Sequence, residues 1–430
     1  MSAVEARAVA PMAGPLDATV TVPGSKSLTN RALVCAALAE GTSTIDGALV
    51  ADDTEAMRIA LVALGARVTG DAAGRLTVSG TGGRLRPGPL ALDMRLSGTT
   101  SRFLLPVVAL GAGEYRVDGA PPLRARPMGP VLDGIRALGA EVHAEGEPGH
   151  LPVTVVAPGG LAGGEVAVAG DTSSQFLSGL LLAAPYTSGG ARLSLTTSLV
   201  SRPFVELTVA VMGAFGVAVG RGDDVLDVPP GHYRATTYAV EPDASTASYF
   251  LAAAALVGGR VTVVGLGAGS RQGDARLADV LAGMGARVER TATATTVIGT
   301  GALRSPGVLD LTDMPDMAQT VAVLAAFADR PTEVTGVGFI RFHETDRIAA
   351  VVGELGRAGI EARATADGFV VRPGEPGPAR IATHHDHRMA MSFALLGLRA
   401  PGIEIEDPGC VAKTFPGYWE ALDGLRTGRQ

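Results

Sequence analysis

The sequence predicts an α/β protein of two domains, and three observations carry that reading. At 430 residues the chain exceeds what one hydrophobic core usually serves. Hydrophobic residues make up 47% of it but aromatics only 4%, with 58 Gly and 27 Pro, so Ala, Val and Leu pack short elements joined by many turns. A motif also recurs: Leu64-Gly65-Ala66-Arg67-Val68, Leu138-Gly139-Ala140-Glu141-Val142, Phe215-Gly216-Val217-Ala218-Val219, Met284-Gly285-Ala286-Arg287-Val288 and Ala358-Gly359-Ile360-Glu361-Ala362. Its glycines lie 74, 77, 69 and 74 residues apart. Each follows an amphipathic stretch and precedes a β-like run, which predicts helix, glycine at C′, then strand.

A unit of about 74 residues fits almost six times, and the last copy stops short after Tyr418-Trp419-Glu420-Ala421-Leu422. Strands from the residues before Pro23 would complete it, bringing the chain ends together in one domain. The predicted domains are 22–238, and 1–21 with 239–430.

Taken in order, the elements begin with a helix after Ser25, whose apolar face is Leu28, Ala32, Cys35, Ala36 and Ala39 and whose stop is Gly41. Ser27 lies one turn from Arg31, so a hydroxyl and a guanidinium can approach one phosphate. Ser97-Gly98-Thr99-Thr100-Ser101-Arg102 and Arg126-Pro127 mark further helix starts. Asp171-Thr172-Ser173-Ser174-Gln175 precedes the apolar run Phe176 to Ala184, and Asp243 reads as the N-cap of Ala247 to Val257. Asp313-Met314-Pro315-Asp316-Met317-Ala318, His343-Glu344-Thr345-Asp346-Arg347 and Asp386-His387-Arg388-Met389-Ala390-Met391 open the later helices.

Helix starts beside Lys or Arg suit anions, because unpaired N–H groups there carry about +0.5 charge. Several in one chain suggest a shared, strongly anionic ligand set. The cations are Lys26, Arg31, Arg102, Arg126, Arg347, Arg388 and Lys413; Arg holds carboxylate or phosphate in a two-point fork, whereas Lys can also move protons. Asp316 is open to two readings, an N-cap or a general base for an alcohol, and Glu344 sits among the same charges.

The formal charge of −7 opposes nucleic acid or an anionic membrane as partner. Cys35 and Cys410 alone give no disulfide framework or zinc cluster, which fits a reducing cytoplasm. Glu5 and Arg7 interrupt any signal-like start, and no apolar run approaches the roughly 20 residues that span a bilayer. Gly265-Leu266-Gly267-Ala268-Gly269 and Gly24-Ser25-Lys26-Ser27 lack nucleotide-loop spacing. The adjacent residues of His384-His385-Asp386-His387 are poorly disposed to meet at one metal ion, so none is expected.

Together, Pro23-Gly24-Ser25-Lys26-Ser27 with Asn30-Arg31, Gly98-Thr99 with Arg102, Arg126-Pro127, Ser173-Ser174-Gln175-Phe176, Glu344-Thr345-Asp346-Arg347, Asp386-His387-Arg388-Met389-Ala390-Met391 and Lys413-Thr414-Phe415-Pro416 resemble the 5-enolpyruvylshikimate-3-phosphate synthase family. The motifs run in family order from residue 23 to 416. The resemblance implies a two-domain inside-out α/β barrel, three repeated units per domain, helices inside and sheets outside, with helix starts of both halves facing an interdomain cleft that closes on substrate. It implies transfer of the enolpyruvyl group of phosphoenolpyruvate to the 5-hydroxyl of shikimate 3-phosphate with release of phosphate, without metal or organic cofactor; a monomer is the default expectation.

Residue by residue, it implies that Lys26, Ser27, Arg31, Ser173, Ser174, Gln175, Ser201, Asp316 and His343 hold shikimate 3-phosphate, and that Lys26, Gly98, Arg126, Gln175, Arg347, Arg388 and Lys413 hold phosphoenolpyruvate. Asp316 would take the hydroxyl proton, and Glu344 or Lys26 would protonate the methylene carbon. Gly98 with Thr99 implies sensitivity to glyphosate. Four positions depart from the pattern: His343 stands where many members have Lys, Leu96 and Phe339 where many have Asn, and Phe204 where many have Tyr. The rivals are a UDP-N-acetylglucosamine enolpyruvyl transferase, which usually carries a reactive loop Cys, an RNA 3′-end-processing protein on related repeats, and a non-catalytic descendant. The helical setting of Cys35, the acidic charge, and the retention of Lys26, Asp316 and Glu344 oppose them in turn.

Overall fold

The computed structural model describes residues 5–427; the first four and last three residues of the predicted second domain lie outside it. By internal contacts the chain divides into two units. One runs Gly24–Val240, and the other joins the residues up to Pro23 to those from Glu241 onward.

Each unit carries three sheets of one pattern, a parallel pair extended by antiparallel strands. In the Gly24–Val240 unit the orders are Thr237–Ala239, Thr42–Asp46, Leu76–Ser79, Arg67–Gly70; then Leu90–Asp93, Ala112–Asp118, Val153–Pro158, Glu141–Ala144; then Gly164–Val168, Ala191–Leu195, Val225–Val228, Gly220–Arg221. In the other unit, Leu16–Val20, Gly259–Val264, Ala294–Gly299 and Arg287–Arg290 form one sheet, and Val308–Asp310, Thr332–Thr335, Phe369–Val371 and Ala362–Ala364 a second. The third has three strands: Ala379–Ile381 runs parallel to Ile403–Glu406, which pairs antiparallel with Ala6–Val9 in the register Ala6 to Glu406.

The repeated glycines explain the regularity. Gly65, Gly139, Gly216, Gly285 and Gly359 have φ of +113°, +110°, +89°, +105° and +81°. Each ends its helix in a Schellman motif: Gly65 N–H donates to Val62 O and Ala66 N–H to Leu61 O, and the other four repeat both bonds at the same offsets. A residue with a Cβ is disfavoured there, so the turn into the next short strand depends on glycine.

Every repeat also has two kinds of helix. Lys26–Leu38, Gly98–Val108, Ser174–Ala183, Ala244–Val257, Ala318–Ala325 and His387–Gly397 are buried on almost all sides. Asp52–Ala63, Gly129–Ala137, Arg202–Ala214, Leu277–Gly283, Arg347–Arg357 and Tyr418–Gly424 bury only part of their surface. Strands such as Leu16–Val20 alternate buried and exposed residues, with one face packed and one in solvent. Helices apolar all round occupy the interior of each unit while the sheets form its outside. Among the described residues no helix is long and apolar enough to cross a membrane.

Candidate functional site

The residues singled out in the sequence collect at the starts of the buried helices. In the Gly24–Val240 unit, Lys26 opens its helix with Nζ 3.2 Å from Oδ2 of Asp53, in the first turn of Asp52–Ala63. Arg31, one turn on, is 2% exposed. Its Nε donates to Thr208 Oγ1 at 2.7 Å, Nη2 to the Phe204 carbonyl at 2.9 Å and Nη1 to the Ser27 carbonyl at 2.9 Å. Ser27 therefore meets Arg31 through its backbone carbonyl. Among the described residues no carboxylate pairs with Arg31, and burial pushes its guanidinium down to about 9. A buried cation surrounded by neutral partners is an energetically unfinished arrangement that an anion completes.

Two further helix starts in this unit interlock. Ser97 caps Gly98–Val108 by accepting the Thr100 N–H, and Ser173 caps Ser174–Ala183 by accepting the Gln175 N–H. Gln175 Nε2 donates to Thr99 Oγ1 at 3.3 Å, while its Oε1 accepts from Arg102 Nη1 at 3.0 Å. Arg102 also donates to the Pro127 carbonyl at 3.1 Å and lies 4.9 Å over the Phe176 ring. A Cβ on Gly98 would stand 2.6 Å from Nη1 and 2.7 Å from Cζ of Arg126, so that guanidinium rests against bare backbone. Ser174 is buried, and buried Ser201 precedes its helix with φ +54°. Leu96 is exposed.

The other unit holds an acid–cation lattice. Arg347, 1% exposed, donates from Nε to Asp386 Oδ2 at 2.8 Å, from Nη1 to Asp316 Oδ1 at 2.8 Å and from Nη2 to Glu344 Oε2 at 3.0 Å. Arg388 Nη2 reaches the second oxygen of Asp316 at 2.7 Å, and Lys413 Nζ the second oxygen of Glu344 at 2.9 Å. Arg347 Nη1 is also 3.1 Å from His343 Nδ1. A guanidinium only donates, so that nitrogen accepts, and the imidazole is the neutral Nε2–H form. Phe339 packs edge-on against the same ring.

Burial alone would push Arg347 and Arg388 down. The carboxylates of Asp386, Glu344 and Asp316 outweigh it at Arg347, and chiefly Asp316 at Arg388, holding both above the ordinary arginine value. Asp316 thus serves as an ion partner, while Asp386 has both roles: its Oδ1 caps His387–Gly397 through the Arg388 N–H at 2.8 Å. Asp243 caps Ala244–Val257 through the Thr246 N–H. His384 and His385 turn to different acids, Glu354 and Asp407, each at 2.9 Å.

The acids expected among these cations, Asp316 and Glu344, lie in direct contact with them, and Asp386 joins them. Arg347, Arg388 and Lys413 are matched by Asp316, Glu344 and Asp386, because a buried guanidinium requires a counter-charge. The sequence reading named neither Asp53 nor Asp386 as an ion partner, since an acid in a first helical turn looks the same whether it caps or pairs.

The chain resembles known proteins over nearly its whole length. The family model for EPSP synthase (3-phosphoshikimate 1-carboxyvinyltransferase) matches residues 11–422. The chain is 45% identical over 408 residues to the 3-phosphoshikimate 1-carboxyvinyltransferase of Nostoc punctiforme, covering 94% of this chain and 95% of that one. It is 44% identical over 414 residues to that of Methanosphaerula palustris, covering 95% and 97%. Its fold is similar to a solved structure of EPSP synthase from Acinetobacter baumannii, with a TM-score of 0.82, 29% identity and 98% of each chain covered. On its residues, its repeats and these likenesses, the chain belongs to the EPSP synthase family.

Proposed function

We propose that the chain transfers the enolpyruvyl group of phosphoenolpyruvate to the 5-hydroxyl of shikimate 3-phosphate and releases phosphate, a step of aromatic amino acid biosynthesis. Family membership supports the activity. The observation that carries the chemistry is Asp316 held between two guanidiniums, beside a Glu344 shared by Arg347 and Lys413.

Each substrate brings roughly three negative charges, and a unit pair at 4 Å is worth about 4 kcal/mol at an effective dielectric near 20. Phosphate and carboxylate oxygens of phosphoenolpyruvate, taken up by Lys26, Gly98, Arg126, Gln175, Arg347, Arg388 and Lys413, compete with Asp316 and Glu344 for their cations. The released Asp316 takes the proton from the attacking hydroxyl as its oxygen bonds to C2, and Glu344 or Lys26 gives a proton to the methylene carbon. The tetrahedral adduct then loses a methyl proton and expels phosphate, with fixed cations stabilising the leaving charge. Shikimate 3-phosphate is assigned to Lys26, Ser27, Arg31, Ser173, Ser174, Gln175, Ser201, Asp316 and His343. The unpaired buried charge of Arg31 supports its part, and neutral His343 contributes a hydrogen bond. No cofactor, nucleic acid or membrane is required, and the protein is taken to work as a cytoplasmic monomer.

Phosphate release from phosphoenolpyruvate is measured with and without shikimate 3-phosphate, using Lys26→Ala as control. Release that ignores shikimate 3-phosphate, or no release at all, would redirect the assignment.

A further inference from the structure

Asp274 lies in the short turn Gly273–Arg276, outside every motif of the sequence reading, and is 3% exposed. Its Oδ2 receives the hydroxyl of Ser245, and its buried Oδ1 has no hydrogen-bond partner. A carboxylate offers about four acceptor sites. One hydroxyl cannot satisfy a charge so enclosed; Arg388, the cation whose field reaches Asp274, forms no ion pair with it among the described residues and spends Nη2 on Asp316.

The surrounding charges act in the same sense. Asp243 at the start of Ala244–Val257 and Asp316 from Pro315–Met317 both repel a charge on Asp274, and Arg388 from His387–Gly397 attracts it. The other charged groups nearby are engaged elsewhere: Arg276 with Asp313, Asp279 with Arg290, and Glu241 with Ser270 and Gln272. Burial first, then Asp316, pushes the Asp274 carboxyl up to about 7.

We propose that Asp274 is a positioning residue of the reaction that acts through Arg388: it holds a proton while the site binds anions, and losing that proton draws Arg388 away from them. Protonated, it leaves the positive field of Arg388 to the substrate. Ionised, it adds a competing acid beside Asp316 and weakens the hold on a phosphate or carboxylate. The proposal rests on the enolpyruvyl transfer reading for its substrate, but its charge state can be read on the unliganded protein.

Infrared difference spectra of wild type against Asp274→Asn are recorded from about pH 6 to pH 8. A protonated-carboxyl band present at the acid end, fading as pH rises and missing from the variant, is expected. With phosphoenolpyruvate as probe and shikimate 3-phosphate present, wild-type affinity should fall about fivefold more than that of Asp274→Asn across the same range, the size of one added charge nearby. Ser245→Ala removes the donor to the carboxylate, so it should move both the band's disappearance and the affinity loss to higher pH, which a merely structural role would not do. A missing wild-type band, or parallel affinity profiles in wild type and Asp274→Asn, overturns the proposal. A protein that shows the band but no transfer indicts the functional reading instead.

Discussion

Removing Asp386 tests whether the acid–cation lattice is an electrostatic unit or a set of separate contacts. Its carboxylate is 0% exposed and accepts both Arg347 Nε and the Arg388 N–H at 2.8 Å. Deleting one partner of a buried pair costs about 3–5 kcal/mol, and loss of a helix cap about 1 kcal/mol. Arg347 keeps Asp316 and Glu344, so the lower end applies, and Asp386→Ala should destabilise its unit by about 3–4 kcal/mol. Asp386→Asn retains an oxygen for the cap and should lose about 1 kcal/mol less. Urea unfolding followed by Trp419 fluorescence reads this directly, since the chain has one Trp, whose Nε1 donates to the Pro408 carbonyl in the same unit. An Asp386→Ala curve within about 1 kcal/mol of wild type at unchanged slope would falsify the view that this acid neutralises Arg347.

Gly98→Ala must displace the mobile end of Arg126, so the fold should lose under about 1 kcal/mol while KM for phosphoenolpyruvate rises roughly tenfold; an unchanged KM refutes the contact. Glyphosate should inhibit the unmodified enzyme and inhibit the alanine variant less, and inhibition curves for both decide it. Arg31→Lys keeps a charge but loses the planar fork to Thr208 and Phe204, so KM for shikimate 3-phosphate should rise about tenfold or more; equal values would remove Arg31 from the binding set. Asp274 is held above its ordinary 3.8, so its contribution to stability is full below that value and is lost as pH rises through about 7. Wild type measured against Asp274→Asn should therefore lose up to about 4 kcal/mol between roughly pH 4 and pH 8, and a flat difference in urea midpoints contradicts it.

The repeat was legible because a Schellman turn restricts its C′ position to glycine, and Gly65, Gly139, Gly216, Gly285 and Gly359 therefore announce it in letters alone. Sheet order was not, because strands such as Gly220–Arg221 and Ala362–Ala364 are too short to establish a two-residue period. The interior helices were legible from their polar caps rather than from a polar face: 13 of the 14 residues of Ala244–Val257 are buried, and Asp243 before the apolar run is what marks its start. Hydroxyl and cationic residues at helix starts pointed to Lys26, Ser173, Gln175, Arg347 and Arg388. Their partners did not show, because Asp53 meets Lys26 and Asp386 meets Arg347 across long sequence separations that no local pattern records.

The strand Ala6–Val9 leaves the ribosome well before its partner, which, in the register Ala6 to Glu406, follows about 400 residues later. At roughly 5–20 residues per second that wait lasts on the order of 20–80 s. The contiguous stretch Gly24–Val240 can mature meanwhile, whereas Ala6–Val9 must stay unpaired with an exposed edge. Translation speed and chaperone occupancy over that interval would then govern the yield of the half bearing Arg347 and Arg388.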